Sequence, residues 1–341
     1  MQSPESRTQS SFNTIGVIVG RDLIGDALIK LPFVRALRHA FPKAEIHWIT
    51  SQGPTFYASA LREATKNLID VVDEQPEWIK GQGTAPHFDL LIDTRNRWRE
   101  ALAAKHIPHT VFLALAMRFL FSDRRPSLFD SKLPHMVDRL LQLVELASGQ
   151  KPVFAGALPV RADLVQQARK ILPEGKTYVG LAPGAGNPVK IWPRYKFEML
   201  AELQANKGRV PVFILGPQEQ ADYAALAAVV PAAKFPLQDF DVWGAGFLTL
   251  DHTLAIASLL DVAVANDSGV GHMLAAVDCP LISLFGPTSP EKLAPRISHG
   301  KVIRAQDFGD DRMKAITWEA VDAAVDGMLR FSPLAGEEAK T

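Results

Sequence analysis

Residues 261–290 read DVAVANDSGVGHMLAAVDCPLISLFGPTSP. Two apolar runs, Asp261–Ala265 and Leu281–Phe285, are too short for helices and are read as buried strands. Between them Ser268–Val277 has a helical pattern, and Asp267 and Ser268 are residues favoured at a helix start. Strand, loop, helix and strand in this order make the βαβ unit of a parallel sheet. In open sheets of this kind ligands bind beyond the carboxyl ends of the strands. Asn266–His272 is such a loop: Ser268 and the N–H groups of Gly269 and Val270 would face whatever sits on the helix N-terminus, the natural place for a pyrophosphate. His272, about one turn further, is placed to add a hydrogen bond to a phosphate or sugar oxygen. The plain alternative is that Asp267 or Ser268 only caps the helix and that His272 is partly buried.

The same alternation extends in both directions. Further strands are expected at Ile15–Val19, Ala44–Thr50, Leu68–Val72, Phe88–Asp93, Tyr178–Ala182 and Val210–Leu215. Amphipathic helices are expected at Ala27–Ala40, Arg194–Ala205, Glu219–Val229, Thr249–Leu260 and Thr317–Phe331. The pattern restarts after Ala155–Arg161, so two Rossmann-like α/β sheets joined near residue 160 fit both pattern and length, with a ligand cleft between them. Two more strand-to-helix loops carry polar residues. In GRDLIGD, residues 20–26, Gly25 permits a close backbone approach and Asp26 starts a helix, either as a plain cap or as a general base; Asp22, in mid-loop, is a second candidate. In APGAGNPVKIWP, residues 182–193, Gly184 and Gly186 flank Ala185 so that backbone N–H groups can face an anion, and Lys190 can supply a positive charge. That loop is neither GxxxxGK[ST] nor GxGxxG, and read alone it serves equally well as a surface turn with a solvated lysine.

Composition bounds the chemistry. The 341 residues carry 37 Lys+Arg against 37 Asp+Glu, a balance that argues against a dedicated nucleic-acid binder. One cysteine, Cys279, excludes an internal disulfide framework and a cysteine-built zinc site, and a reducing cytoplasmic setting fits. No DxD-like pair stands beside the expected pyrophosphate loops to hold a divalent cation. The run Thr110–Phe121 is apolar but shorter than the roughly 20 residues a spanning helix needs; it is expected to be a buried helix, the alternative being a surface that docks on the inner membrane leaflet.

In order and spacing, the three loops together resemble glycosyltransferase family 9, which includes the lipopolysaccharide heptosyltransferases. The resemblance spans roughly residues 14–330 and rests on VGRDLIGDALIKLPFVRALRHAFPKAEI, LAPGAGNPVKIWPRYKFEML and NDSGVGHMLAAVDCPLISLFGPTSP. Its most specific part is the D-[ST]-G-x-x-H core followed by GPT-x-P, and the spacing looks closest to heptosyltransferase II-type enzymes. The resemblance implies a GT-B architecture, two Rossmann-like domains facing a central cleft. It implies an acceptor bound by the N-terminal half and inverting, metal-independent transfer of heptose from an ADP-heptose donor held by the C-terminal half, with no cofactor. Carried over by position, Asp26 matches the catalytic aspartate and Lys190 the lysine near the donor phosphates. Asp267, Ser268, Gly269 and His272 match the donor loop, Glu219 the acidic residue that holds the ribose, and Leu248 the adenine pocket. At Ala185 and Gly186, where some heptosyltransferases offer hydroxyls, backbone N–H groups would substitute.

The expected organisation is a disordered leader at 1–13, an acceptor domain at 14–160, a nucleotide-sugar domain at 161–331 whose last helix is free to pack back on the first, and a flexible tail at 332–341. Between Arg95 and Arg139 nine Lys/Arg stand against four acids, a surplus suited to an anionic glycolipid or glycan. Arg95, Arg97 and Arg99 follow a strand end and are the acceptor candidates; ordinary charge scatter is the alternative. The expected setting is cytoplasmic, with peripheral contact on the inner membrane. Two further readings are a protein-directed transferase of the same family and a non-catalytic nucleotide-sugar binder.

Overall fold

The computed structural model describes residues 12–22, 24–127, 133–244 and 249–330. The chain divides into two compact units, Met1–Ala155 and Gly156–Thr341. The first holds β1 (Thr14–Val19), β2 (Glu45–Thr50), β3 (Val71–Glu74), β4 (Phe88–Asp93) and β5 (His109–Ala114), all parallel, in the order β3-β2-β1-β4-β5. The second holds β6 (Tyr178–Ala182), β7 (Val210–Phe213), β8 (Val262–Asn266), β9 (Leu281–Phe285) and β10 (Gly300–Arg304), again parallel, in the order β10-β9-β8-β6-β7. Each unit is Rossmann-like, as the alternation of strand and helix signals requires.

β8 shows how composition makes such a sheet. All five of its residues are buried, and successive side chains go to opposite faces. Val262 and Val264 join a core with Phe197, Leu200, Ile282 and Leu284, while Ala263 and Ala265 join another with Leu260, Leu274 and Leu281. A strand covered on both faces by helices reads as a continuous apolar run, which is why it is legible in sequence. The alanine side lets a helix come close. At Gly180 on neighbouring β6, an added Cβ would stand 2.6 Å from Leu260 Cδ1 and 3.1 Å from Ala263 Cβ, so the glycine makes room for Leu260.

Three expectations change. Residues 110–121 do not form one buried helix: β5 takes His109–Ala114, and a short turn of helix follows at Ala116–Phe119. A short apolar run has no periodicity to separate strand from helix, and pairing with β4 settles it. Inside the turn Met117, Arg118 and Phe119 adopt left-handed φ values of 51°, 56° and 64°. β10 carried no strand signal because its first three residues are exposed, and it is placed by its partner β9. The last helix, Trp318–Arg330, spends its apolar stripe within the second unit: Val321, Ala324 and Val325 are buried in the same core as Phe197 and Leu200. Lys207 and Arg209 fix its outer face through Asp322 and Asp326. Among the described residues no helix is long and apolar enough to cross a membrane.

Candidate active site

In each sheet the chain runs outward from one central strand to an edge and then returns to build the other side. The crevice at that reversal, outside the carboxyl ends of the two adjacent strands, is where such folds bind ligands. In the second sheet it lies between β6 and β8, and the loops leaving those strands are the APGAGNPVKIWP and NDSG segments.

Side chains tie these two loops together. Asn266, at the end of β8 and 1% exposed, accepts from Trp192 N at 3.1 Å and donates through Nδ2 to Pro183 O at 2.7 Å. Trp192 is fully buried; its indole N–H donates to Ile316 O at 2.9 Å and its ring meets Phe197 edge-on. Thus Lys190, two residues earlier, stands on a short turn capped by Asn187 and anchored by Trp192. Its ammonium lies 2.7 Å from Asp267 Oδ2, which also accepts from Thr288 Oγ1 at 2.7 Å. An ammonium has three donors, and Asp267 takes one.

Ser268 stands at the start of helix Gly269–Ala276 in extended backbone geometry, but its side chain caps nothing. Its Oγ is buried and has no hydrogen-bond partner, although most buried polar atoms are satisfied. Asp267, by contrast, is engaged with Lys190 and Thr288. Capping by either side chain therefore does not explain this loop. The first-turn N–H groups of the helix, which no intrahelical carbonyl can satisfy, begin at Gly269, and His272 lies on the same turn.

Glu219 comes to the neighbouring loop. Its Oε2 accepts from Gly216 N at 3.1 Å, and a Cβ at Gly184 would collide with its carboxylate. Gly184 thus leaves room for the Glu219 carboxylate, which a side chain there would displace, whereas a Cβ at Gly186 would meet nothing. The second unit thus gathers Gly184, Ala185, Gly186, Lys190, Glu219, Asp267, Ser268, Gly269 and His272 on the loops that leave β6, β7 and β8. Leu248 lies outside the described residues.

In the first unit the reversal lies between β1 and β4. Asp26 stands in the first turn of helix Ile24–Ala40 and is exposed. Asp22 is fully buried, paired with Lys30 at 2.7 Å and bonded to Trp48 and Thr55, so it is a structural anchor and not a base. The three arginines after β4 separate. Arg95 closes its fork on buried Asp93, Nε to Oδ1 at 2.8 Å and the second guanidinium nitrogen to Oδ2 at 2.9 Å, so of the three expected acceptor residues it is the one bound into the fold. Arg97 is exposed and 3.6 Å from Glu100, and exposed Arg99 lies over the Trp98 ring. Among the described residues no cluster of three or more His, Cys, Asp or Glu is placed to hold a metal ion.

Asn266, Trp192 and Thr288 belong to the quoted motifs, yet residue type and spacing alone assign them no role. The available signal was a tryptophan inside a Gly/Pro-rich loop, where a large apolar side chain implies an anchor beneath it.

A model described as Glycosyltransferase family 9 (heptosyltransferase) matches residues 84–315. The chain belongs to glycosyltransferase family 9. It is 32% identical over 309 residues to lipooligosaccharide heptosyltransferase 2 of Haemophilus influenzae strain Rd, covering 84% of this chain and 88% of that protein. Among solved structures, the family 9 glycosyl transferase of Veillonella parvula superposes with a TM-score of 0.71 at 18% identity, covering 94% of this chain and 98% of that one. The E. coli ADP-heptose LPS heptosyltransferase II gives 0.65 at 21%, covering 93% and 98%. With two Rossmann-like units and this likeness, the chain has the GT-B fold class expected from the sequence, and its likeness to heptosyltransferase II-type proteins agrees with the loop spacing.

Proposed function

We propose that this family 9 protein transfers heptose, with inversion and without a metal ion, from an ADP-heptose donor to a lipopolysaccharide-core or related glycan acceptor. The observation that carries the reading is the unpartnered Ser268 Oγ at a helix N-terminus, on the same loop as Asp267 and its Lys190 partner. Ser268, the first-turn N–H groups and the lysine form a set of donors suited to a diphosphate. Transfer breaks the bond between the anomeric carbon and the donor phosphate, and negative charge grows on the departing ADP. Lys190, His272 and the helix N-terminus stabilise that charge. Asp26 takes the proton of the attacking acceptor hydroxyl, and Glu219 holds the ribose.

Arg97 and Arg99 meet the anionic part of the acceptor. Exposed Trp98, Met117 and Leu120 provide a peripheral contact with the cytoplasmic face of the membrane that carries it. Two measurements test the reading. In calorimetric titration ADP should bind at least tenfold more tightly than UDP or GDP, and ADP-heptose should support transfer to a heptose-deficient core glycolipid. Tighter binding of UDP would overturn the donor assignment; ADP binding without transfer to any glycan would leave a nucleotide-sugar binder.

A further inference from the structure

The polar cluster beneath Asp26 is not used by the chemistry above. Asp22, Lys30, Trp48, Thr55 and Tyr57 are all buried, none more than 5% exposed. Lys30 Nζ donates to Asp22 Oδ1 at 2.7 Å and to the backbone carbonyl of Asp26 at 2.9 Å. The other Asp22 oxygen accepts from Trp48 Nε1 at 3.0 Å and Thr55 Oγ1 at 2.7 Å. Tyr57 OH donates to the carbonyl of Ala27 at 2.7 Å, and its ring stands edge-on to Trp48 at 4.9 Å. The loop after β1, the strand β2, the turn at Phe56–Ala58 and the helix Ile24–Ala40 therefore meet at one point, and two of their bonds end on the carbonyls of Asp26 and its neighbour.

A buried ion pair is poor at adding stability, since a well-packed apolar pair of similar size often does as well or better. What apolar side chains cannot do is hold a carbonyl at a fixed place. Asp26 sits in the first turn of its helix with an exposed carboxylate, the position where a helix is most free to fray. A base must be held to within about half an ångström of its productive geometry, and a displacement of about 1 Å can cost roughly a hundredfold in rate.

We propose that Lys30 and Tyr57 are positioning residues that fix the backbone of Asp26 and so set where its carboxylate meets the acceptor hydroxyl. The inference rests on Asp26 acting as the base. Its test is a steady-state comparison of wild type with the double variant Asp22→Leu/Lys30→Met, which removes both charges together at similar volume, and with Tyr57→Phe. Trp48 Nε1 and Thr55 Oγ1 lose their shared acceptor in the double variant, so it should melt below wild type while keeping the same ADP affinity and the same KM for both substrates. Its kcat should fall by about 30- to 100-fold, and that of Tyr57→Phe by about 3- to 10-fold. If the double variant does not fold, Tyr57→Phe decides. A folded variant with kcat within twofold of wild type, or with KM and ADP affinity degraded alongside kcat, overturns the inference. Asp26→Asn run in parallel separates the two readings: if it is inactive while the folded variants keep their kcat, only the positioning role falls; if it is active, the base assignment itself falls.

Discussion

The reversal points of the two sheets have the same topology and opposite electrostatic design. Between β6 and β8, side chains bond loop to loop: Asn266 bridges Trp192 and Pro183, while Asp267 joins Lys190 and Thr288. Between β1 and β4, charged groups bond inward, Arg95 to Asp93 and Lys30 to Asp22, leaving Asp26, Arg97 and Arg99 exposed. One edge holds hydrogen-bond donors in a fixed relation, as the proposed nucleotide-sugar role requires. The other anchors its backbone and leaves Asp26, Arg97 and Arg99 at the surface, as the proposed role in meeting an acceptor requires.

The sharpest contrast is within one loop. Arg95→Ala leaves the fully buried Asp93 carboxylate unpaired and should cost about 3–5 kcal/mol of stability in denaturant unfolding, whereas Arg97→Ala should change stability by less than about 0.5 kcal/mol and raise the acceptor KM. Equal effects would erase the division between anchoring and exposed arginines. On the donor side, Lys190→Met should lower kcat by about 10²–10³-fold and weaken ADP binding in the same preparation. Asn266→Ala strands two buried backbone partners and should cost about 2–4 kcal/mol. Ser268→Ala, which removes a hydroxyl with no partner, should leave stability unchanged and reduce kcat/KM about tenfold; a large loss of stability would show that Ser268 serves the fold.

The smallest effect at neutral pH concerns Tyr57. Burial, reinforced by the nearby Asp22 carboxylate, pushes its hydroxyl well above the ordinary value of 10.0. The folded value is raised, so the contribution is fully present below pH 10.0 and is lost as pH rises beyond it toward the folded value. Over that range the first unit should lose up to about 1.4 kcal/mol per pH unit, and Tyr57→Phe should flatten the dependence in pH-resolved unfolding curves.

Much of this was legible in sequence for definable reasons. Strands buried on both faces, such as Phe88–Asp93, Tyr178–Ala182 and Leu281–Phe285, are bounded where they were read, because their apolar runs end at polar loops. β5 and β10 were not legible, since one is an apolar run without periodicity and the other is mostly exposed. Among the candidate residues, Asp267 and Ser268 stand out because they directly follow a strand, and Lys190 because it lies in the Gly/Pro-rich loop after another. Burial of Asp22 and closure of Arg95 on Asp93 could not be read from the sequence, because each depends on which side chains from distant segments stand opposite. Spacing locates a charge on a loop; only packing decides whether it faces inward.

The most direct measurement is on Asp26→Asn, comparing donor binding by calorimetry with transfer by a coupled assay. The expected result is an ADP affinity equal to wild type and a loss of transfer of about 10²–10⁴-fold, with the melting temperature unchanged because the carboxylate is exposed. Turnover at the wild-type rate would contradict the assignment of Asp26 as the base.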